Sequence, residues 1–218
     1  MRGIAVSKPL VVVESPTKVR TIKKYLGSDY KVAATVGHIK DLPNKEMGID
    51  VEDGFKPKYQ YIPGKQKIVK SLKQAAGDTH DVYLAPDPDR EGEAIAWHTA
   101  DVLKKKGRNF YRVLFHELTK DSVRKAMTSP EVLDRSKYEA QQARRILDRL
   151  VGYQVSPLLW RKVKGGLSAG RVQSVAVRII CERERAIQAF VSEEYWSITA
   201  HLNSDVPPPF AAKLVKKD

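Results

Sequence analysis

The hydrophobic positions change their spacing along the chain. Leu10 to Val13 is an unbroken apolar, β-branched run, the pattern of a strand buried on both faces. It ends at Glu14. Ser15-Pro16-Thr17 then predicts a helix start, with the helix running to about Leu26 and stopped by Gly27. Lys31 to Val36 predicts a second strand, ending at Gly37-His38. Residues 41–65, rich in Gly, Pro and Lys, read as a long surface excursion. A helix is predicted near Gln66 to Ala76, a strand over Asp81 to Leu84, a helix from about Glu93 to Lys105 and a strand over Phe110 to Phe115. Thr119 is placed to cap the next helix. Strands alternating with helices predict an α/β fold: a mostly parallel sheet covered on both faces.

From about Glu131 the spacing becomes helical without strands. Tyr138 to Val151 carries Ala140, Ala143, Ile146, Leu147, Leu150 and Val151 on one face, with Arg144, Arg145 and Arg149 off that stripe. A second helix, roughly Gly170 to Phe190, repeats the scheme with Val172, Val175, Ala176, Ile179 and Ile180. The connection between them, SPLLWRKVKGGLSAG, is basic and rich in glycine. After Tyr195 the strand-like run WSITAHL begins, and the chain then offers nothing for it to pair with. This suggests a third unit cut short, and hence a piece of a longer protein.

Charge sharpens the picture. The chain has 39 Lys+Arg against 26 Asp+Glu, a formal net charge of +13, which favours a polyanionic partner, nucleic acid above all. An anionic membrane surface is the alternative, although no apolar run approaches the roughly 20 residues needed to cross a bilayer. MRGIAVSKP is too short in apolar residues for a secretory signal. Cys181 is the only cysteine, which excludes a disulfide framework or a cysteine-based zinc site within these residues. A reducing, cytoplasmic setting is the expectation.

Against this basic background, LAPDPDREGEAIAWH (residues 84–98) sets Asp87, Asp89, Glu91 and Glu93 within seven residues. Carboxylates this close raise one another's pKa unless a cation or donors meet them. In an open parallel sheet ligands collect beyond the carboxyl ends of the strands. If the strands ending at Glu14 and Asp87 are neighbours, Glu14, Asp87 and Asp89 converge. Such hard oxygen ligands suit Mg²⁺. A calcium-binding EF-hand loop is excluded, because its twelfth position would be His98 and a strand precedes it. Glu93 is explained as an acid at a helix N-terminus. Lys18, His38 and Arg90 also fall just past predicted strand ends, where a guanidinium beside a metal can clamp a phosphate. Arg144, Arg145, Arg149, Arg161, Lys162, Lys164 and Arg171 can line a track for a nucleic-acid backbone, with Tyr153 or Trp160 available for base stacking.

These motifs together carry a resemblance. VVVESPTKVRTIKKYLG, VGHIKDLP and APDPDREGEAIAWH resemble the Toprim domain of bacterial type IA DNA topoisomerases. AQQARRILDRLVGYQVSPLLW and GLSAGRVQSVAVRIICERER resemble that family's helical DNA-binding domain, and SEEYWSITA its continuation. The resemblance implies a tail over 1–8, a Rossmann-like Toprim domain over 9–133, a smaller helical DNA-binding domain over 134–190, and the start of an arch domain over 191–218. It implies Mg²⁺ held by Asp87, Asp89 and Glu91, acid/base work by Glu14, and charge stabilisation by Lys18 and Arg90, with His38 in support. Arg144, Arg145, Asp148, Arg171 and Gln173 match positions that grip single-stranded DNA, and Tyr153 one that stacks on a base.

One departure matters. The family's nucleophile is a tyrosine in a motif like TYxRTDS, and none of the nine tyrosines has that context. Zinc-ribbon cysteines are missing too. The expectation is therefore an N-terminal part that binds Mg²⁺ and single-stranded DNA without relaxing supercoils, the rest of the chain being its partner. Pro88 between the aspartates stiffens an extended segment. The alternatives are an independent Toprim nuclease or primase, which has no use for the AGRVQS helix, and a non-catalytic nucleic-acid-binding module.

Overall fold

A computed structural model of the chain describes residues 7–203, 205 and 207–215. In chain order its elements are β1 (Leu10–Val13), α1 (Pro16–Leu26), β2 (Lys31–Ala34), β3 (Lys40–Asp41), β4 (Ile49–Asp50), β5 (Lys56–Pro57), β6 (Gln60–Tyr61), α2 (Gln66–Ala76) and β7 (Asp81–Leu84). There follow α3 (Arg90–Leu103), β8 (Asn109–Arg112), α4 (Lys120–Thr128), α5 (Arg135–Lys162), α6 (Arg171–Gln188), β9 (Thr199–Leu202) and β10 (Phe210–Lys213).

Four strands form one parallel sheet in the order β2-β1-β7-β8. Alternation splits β1 between two cores. Leu10 and Val12 join Val82 and Leu84 of β7 under Leu72 and Ala76 of α2 and Ala96 and Leu103 of α3. Val11 and Val13 pack on the opposite face with Ile22 of α1 and Val123 of α4. Each such valine, leucine or isoleucine, fully buried, contributes about 1.5–3 kcal/mol. Both faces are covered, as the unbroken apolar run predicts. The strand order also has a consequence for function. The chain leaves β1 for β2 on one side and returns to β7 on the other. The carboxyl ends of β1 and β7 therefore flank the switch point where open α/β sheets bind ligands.

The predicted strand Lys31 to Val36 stops at Ala34, because Val36 and Gly37 take positive φ values of 56° and 80°. The ladder still extends one residue, with Thr35 N donating to Val13 O at 3.0 Å. The excursion is more ordered than its composition suggests. β3 pairs with β6 and β4 with β5, both antiparallel, and Ile39, Leu42 and Ile49 are buried. α3 begins three residues before the expected Glu93, because Asp89 caps it by accepting from Gly92 N at 2.7 Å. α5 runs eleven residues past Val151, through Pro157, where a connection was expected. Proline removes one amide donor but does not end this helix.

The residues divide into two compact units, 1–171 and 172–218. α5 belongs to the first and packs along α3, where the Trp97 and Tyr138 rings stack 4.7 Å apart at 5°. The second unit holds α6 beyond Arg171 and an antiparallel β9–β10 pair, with Leu202 opposite Phe210. The WSITAHL strand thus has a partner, contrary to the sequence reading. Pro207, Pro208 and Pro209 lie in the connection between the two strands.

Candidate functional site

The neighbouring of β1 and β7 brings together the residues that follow them. Glu14 Oε2 accepts from the backbone N of Asp87 at 2.7 Å. Lys18, in the first turn of α1, donates its ammonium to both the Glu14 and Asp87 carboxylates. Ser15 sets that turn, its hydroxyl accepting from Lys18 N at 3.3 Å. Partial burial opposes the Lys18 charge, yet the bonds to Asp87 and Glu14 outweigh it and hold its pKa above the ordinary lysine value. The same ammonium holds Asp87 below the usual carboxylate range. The cation demanded by the acidic cluster is, in part, supplied by the chain itself.

Asp89 uses one oxygen to cap α3. Gly92 is obligatory beside it, since an added Cβ would lie 2.0 Å from the Asp87 carbonyl oxygen. Glu91 Oε2 accepts from Gln141 Nε2 of α5 at 3.1 Å and lies 3.2 Å from His38 Nε2. Arg90 is exposed and lines a small cleft with Asp89, Glu91 and Arg144. Glu93 lies in the first turn of α3, as the sequence predicts for an acid at a helix N-terminus, but it does more than meet the helix dipole. It is buried against Arg112, Nε to Oε2 at 2.8 Å. Arg112 also donates to the carbonyls of Leu84 at 3.1 Å, Pro86 at 2.9 Å and Asp87 at 2.5 Å. The other Glu93 oxygen accepts from Asp134 N at 2.8 Å, at the cap of α5. One buried ion pair therefore holds the acidic loop and the entry to the long helix.

A cleft of about 350 Å³ runs between the excursion, α3 and α5. Its α5 wall is Gln141, Arg144, Arg145 and Asp148, the i, i+3, i+4, i+7 face of one helix. His98 lies on this cleft and is 5% exposed, and neither ring nitrogen has a partner among the described residues. Desolvation lowers its pKa to about 4. Tyr59, edge-on to it at 4.7 Å, has a hydroxyl without a partner among the described residues and a pKa raised by burial to about 12.

Of the arginines off the apolar stripe, Arg145 and Arg149 are engaged rather than free. Arg145 bonds Asp41 through two nitrogens, at 2.9 and 2.6 Å. Arg149 donates to the carbonyls of Pro43 at 2.7 Å and Glu46 at 3.2 Å. The Tyr153 hydroxyl donates to the Asn44 carbonyl at 3.3 Å, and the Arg149 guanidinium sits 5.3 Å from the Tyr153 ring centre. Arg171 pairs with Asp148 at 2.7 Å, and Arg144 reaches the same carboxylate only at 4.0 Å. Gln173 lies in the second unit and is exposed. The sequence reading missed Asp41, Arg112 and Gln141. A charged residue inside the strand NFYR was the available signal for Arg112. For Gln141 it was the polar residue one turn before Arg144 and Arg145.

Among the described residues no three His, Cys, Asp or Glu side chains gather into a ready-made cage. The donor chemistry nonetheless fits Mg²⁺, which takes one or two carboxylates and keeps several waters. Among the described residues, no hydrogen bond is accepted by Asp87 Oδ2, Asp89 Oδ2 or Glu91 Oε1, so each carboxylate retains a free oxygen.

Two family models match the chain. The Toprim domain matches residues 9–118 and the DNA topoisomerase family residues 132–217. The structure of full-length topoisomerase I from Thermotoga maritima is similar to it at 48% identity, with a TM-score of 0.75 over 88% of this chain. The chain belongs to the bacterial type IA DNA topoisomerases. It spans 32% of the Thermotoga maritima chain. The Toprim match contains every residue of the acidic cluster together with Glu14, Lys18 and His38. The topoisomerase match contains the arginine face of α5, with Arg171 and Gln173.

Proposed function

We propose that residues 1–218 supply the phosphate-handling and single-strand-binding parts of a type IA topoisomerase, an isomerase that relaxes negatively supercoiled DNA by cleaving and religating one strand. The observation that carries this is the Glu14–Lys18–Asp87 cluster at the switch point between β1 and β7. Glu14 sits where a proton can be handed to or taken from a sugar oxygen. Lys18 and Arg90 offset charge on the phosphate, and His38 supports them through Glu91. Asp87, Asp89 and Glu91 would hold Mg²⁺, which when bound neutralises phosphate charge. A helix cap accounts for Asp89 but not for the ammonium shared by Glu14 and Asp87, which disfavours a purely structural reading of the acids.

Single-stranded DNA is the proposed partner of Arg144, Arg145, Asp148, Arg149, Arg171 and Gln173, with Tyr153 stacking on a base. The nucleophile is proposed to lie outside these residues. Tyr25 donates to the Leu118 carbonyl, Tyr138 is stacked on Trp97, and Tyr83 lies between the rings of Tyr30 and Tyr111. None of these bonds Glu14, Lys18 or Asp87. A perfectly positioned phosphate gains nothing without an attacking oxygen. Incubated with negatively supercoiled plasmid and Mg²⁺, the purified chain should bind DNA, leave the supercoils intact and form no denaturant-resistant adduct. Relaxation, or an adduct mapped to one of the nine tyrosines, would overturn the assignment of the nucleophile elsewhere.

A further inference from the structure

Gln141 joins the cleft-lining face of α5 to the acidic cluster by a hydrogen bond to Glu91. It is 7% exposed, a rare setting for a glutamine unless its amide is bonded. Its amide nitrogen donates to Glu91 Oε2 at 3.1 Å, the same oxygen that His38 approaches at 3.2 Å. The two contacts fix one carboxylate oxygen and leave the other free. On α5, Gln141 stands on the face of Arg144, Arg145 and Asp148, all lining one cleft. A strand laid along that face restrains the turn carrying the glutamine. A restrained glutamine in turn holds the Glu91 carboxylate in one orientation, and a carboxylate already ordered binds a cation at lower entropic cost.

We propose that Gln141 is a positioning residue that couples divalent-cation binding at the acidic loop to single-stranded DNA binding on α5. The inference rests on the metal and DNA assignments made above and adds the residue that links them. Coupling between two ligands is reciprocal, so Mg²⁺ should tighten DNA by the same factor by which DNA tightens Mg²⁺. A metal–phosphate contact would also couple the two, but independently of Gln141. The glutamine is therefore the discriminating position.

The test uses the full chain, a fluorescein-labelled single-stranded oligonucleotide and Mg²⁺. DNA affinity is read by anisotropy with and without the metal, and metal affinity by calorimetry with and without the oligonucleotide. In the wild type each ligand should tighten the other by about fivefold or more. Gln141→Met keeps length and volume but cannot donate, and it should lower both factors by the same proportion, leaving only what a metal–phosphate contact supplies. Gln141→Leu, which also cannot donate and adds no metal ligand, provides the same loss of donation should the methionine variant fail to fold. Factors unchanged in a folded variant, or a wild-type factor of one with both ligands still bound, would overturn the coupling and leave the functional reading standing. Failure of the wild type to bind Mg²⁺ or the oligonucleotide at all would sink that reading, and the coupling with it.

Discussion

The sheet and the long helix α5 treat their sequence patterns differently. In β1 every residue of the apolar run is buried, at 0–1% exposure, and the charges at its end are met by one another. In α5 the buried residues are Gln141 and Ser156, while Leu147 of the expected apolar stripe is 43% exposed. A central strand has its edges paired by neighbouring strands and both faces covered by helices, so its unbroken apolar run reads directly as burial. A helix on the outside reports a face that suits covering, and says nothing of what covers it. α6 carries the point further: Val172, Val175, Ile179 and Ile180 keep perfect helical spacing and are all exposed.

The contrast is broken most severely at Arg112. It is 1% exposed and serves Glu93 and the carbonyls of the acidic loop. Arg112→Leu leaves a buried carboxylate without its partner, a loss of about 3–5 kcal/mol. Arg144→Leu, on the exposed side of α5, should change stability by less than about 0.5 kcal/mol. Urea unfolding of the two variants measures both. Equal losses would show that the buried pair has no special standing.

A pair of glycines sharpens the same comparison. Gly92→Ala drives a methyl against the Asp87 carbonyl oxygen at 2.0 Å and should cost about 3 kcal/mol through backbone displacement. Gly152→Ala in α5 meets only the Ala169 oxygen, at 3.8 Å. It should be neutral or stabilising by up to about 1 kcal/mol, because alanine favours a helix interior. Thermal unfolding of the two alanine variants tests the difference.

What was legible follows from the same physics. The β1, α2 and β7 boundaries and the Ser15, Gly27 and Thr119 caps match the chain residue for residue, because they depend on neighbours in sequence. The meeting of Glu14 with Asp87 was conditional on strand order, which no local pattern encodes. The start of α3 was missed because Asp89 was read as a ligand and its capping bond to Gly92 overlooked. The Arg145–Asp41 and Gln141–Glu91 contacts join residues 104 and 50 positions apart, beyond any spacing rule. Arginine density alone pointed to nucleic acid, without revealing how many of those arginines already hold the excursion.

His98 separates the two regions by pH. Its pKa falls to about 4 through burial, while an unfolded histidine titrates near 6.5. Below about pH 6.5 the unfolded chain takes up a proton that the folded chain refuses. Stability is therefore lost as pH falls through this window, by about 2 kcal/mol between pH ~7 and ~5. His98→Leu should flatten that part of the profile. Carboxylates titrate mainly below it, so a slope unchanged in the variant would assign the acid sensitivity to another group.

The smallest effect concerns Arg144 and Arg145, adjacent in sequence and unlike in setting. Arg145 is bonded through two nitrogens to Asp41, whose pKa stays low because the guanidinium outweighs desolvation. Both partners remain about a third exposed, so solvent screening limits the pair to about 1 kcal/mol or less. Asp41→Asn should accordingly lower stability only slightly. Its effect on DNA binding is more telling. With Asp41 present, Arg145 adds little net charge to the cleft, while Arg144 meets its nearest carboxylate only at 4.0 Å. Counterion release counts phosphates neutralised, about 0.7 in the salt slope for each contact on a single strand. Arg144→Ala should lose close to that amount and weaken binding more than Arg145→Ala. Asp41→Asn should raise affinity and make the subsequent loss of Arg145 cost as much as the loss of Arg144. Salt titrations of the three single variants and of Asp41→Asn with Arg145→Ala measure each slope. A larger loss at Arg145 than at Arg144 in the wild-type background would mean that Asp41 orients that guanidinium for the strand instead of neutralising it.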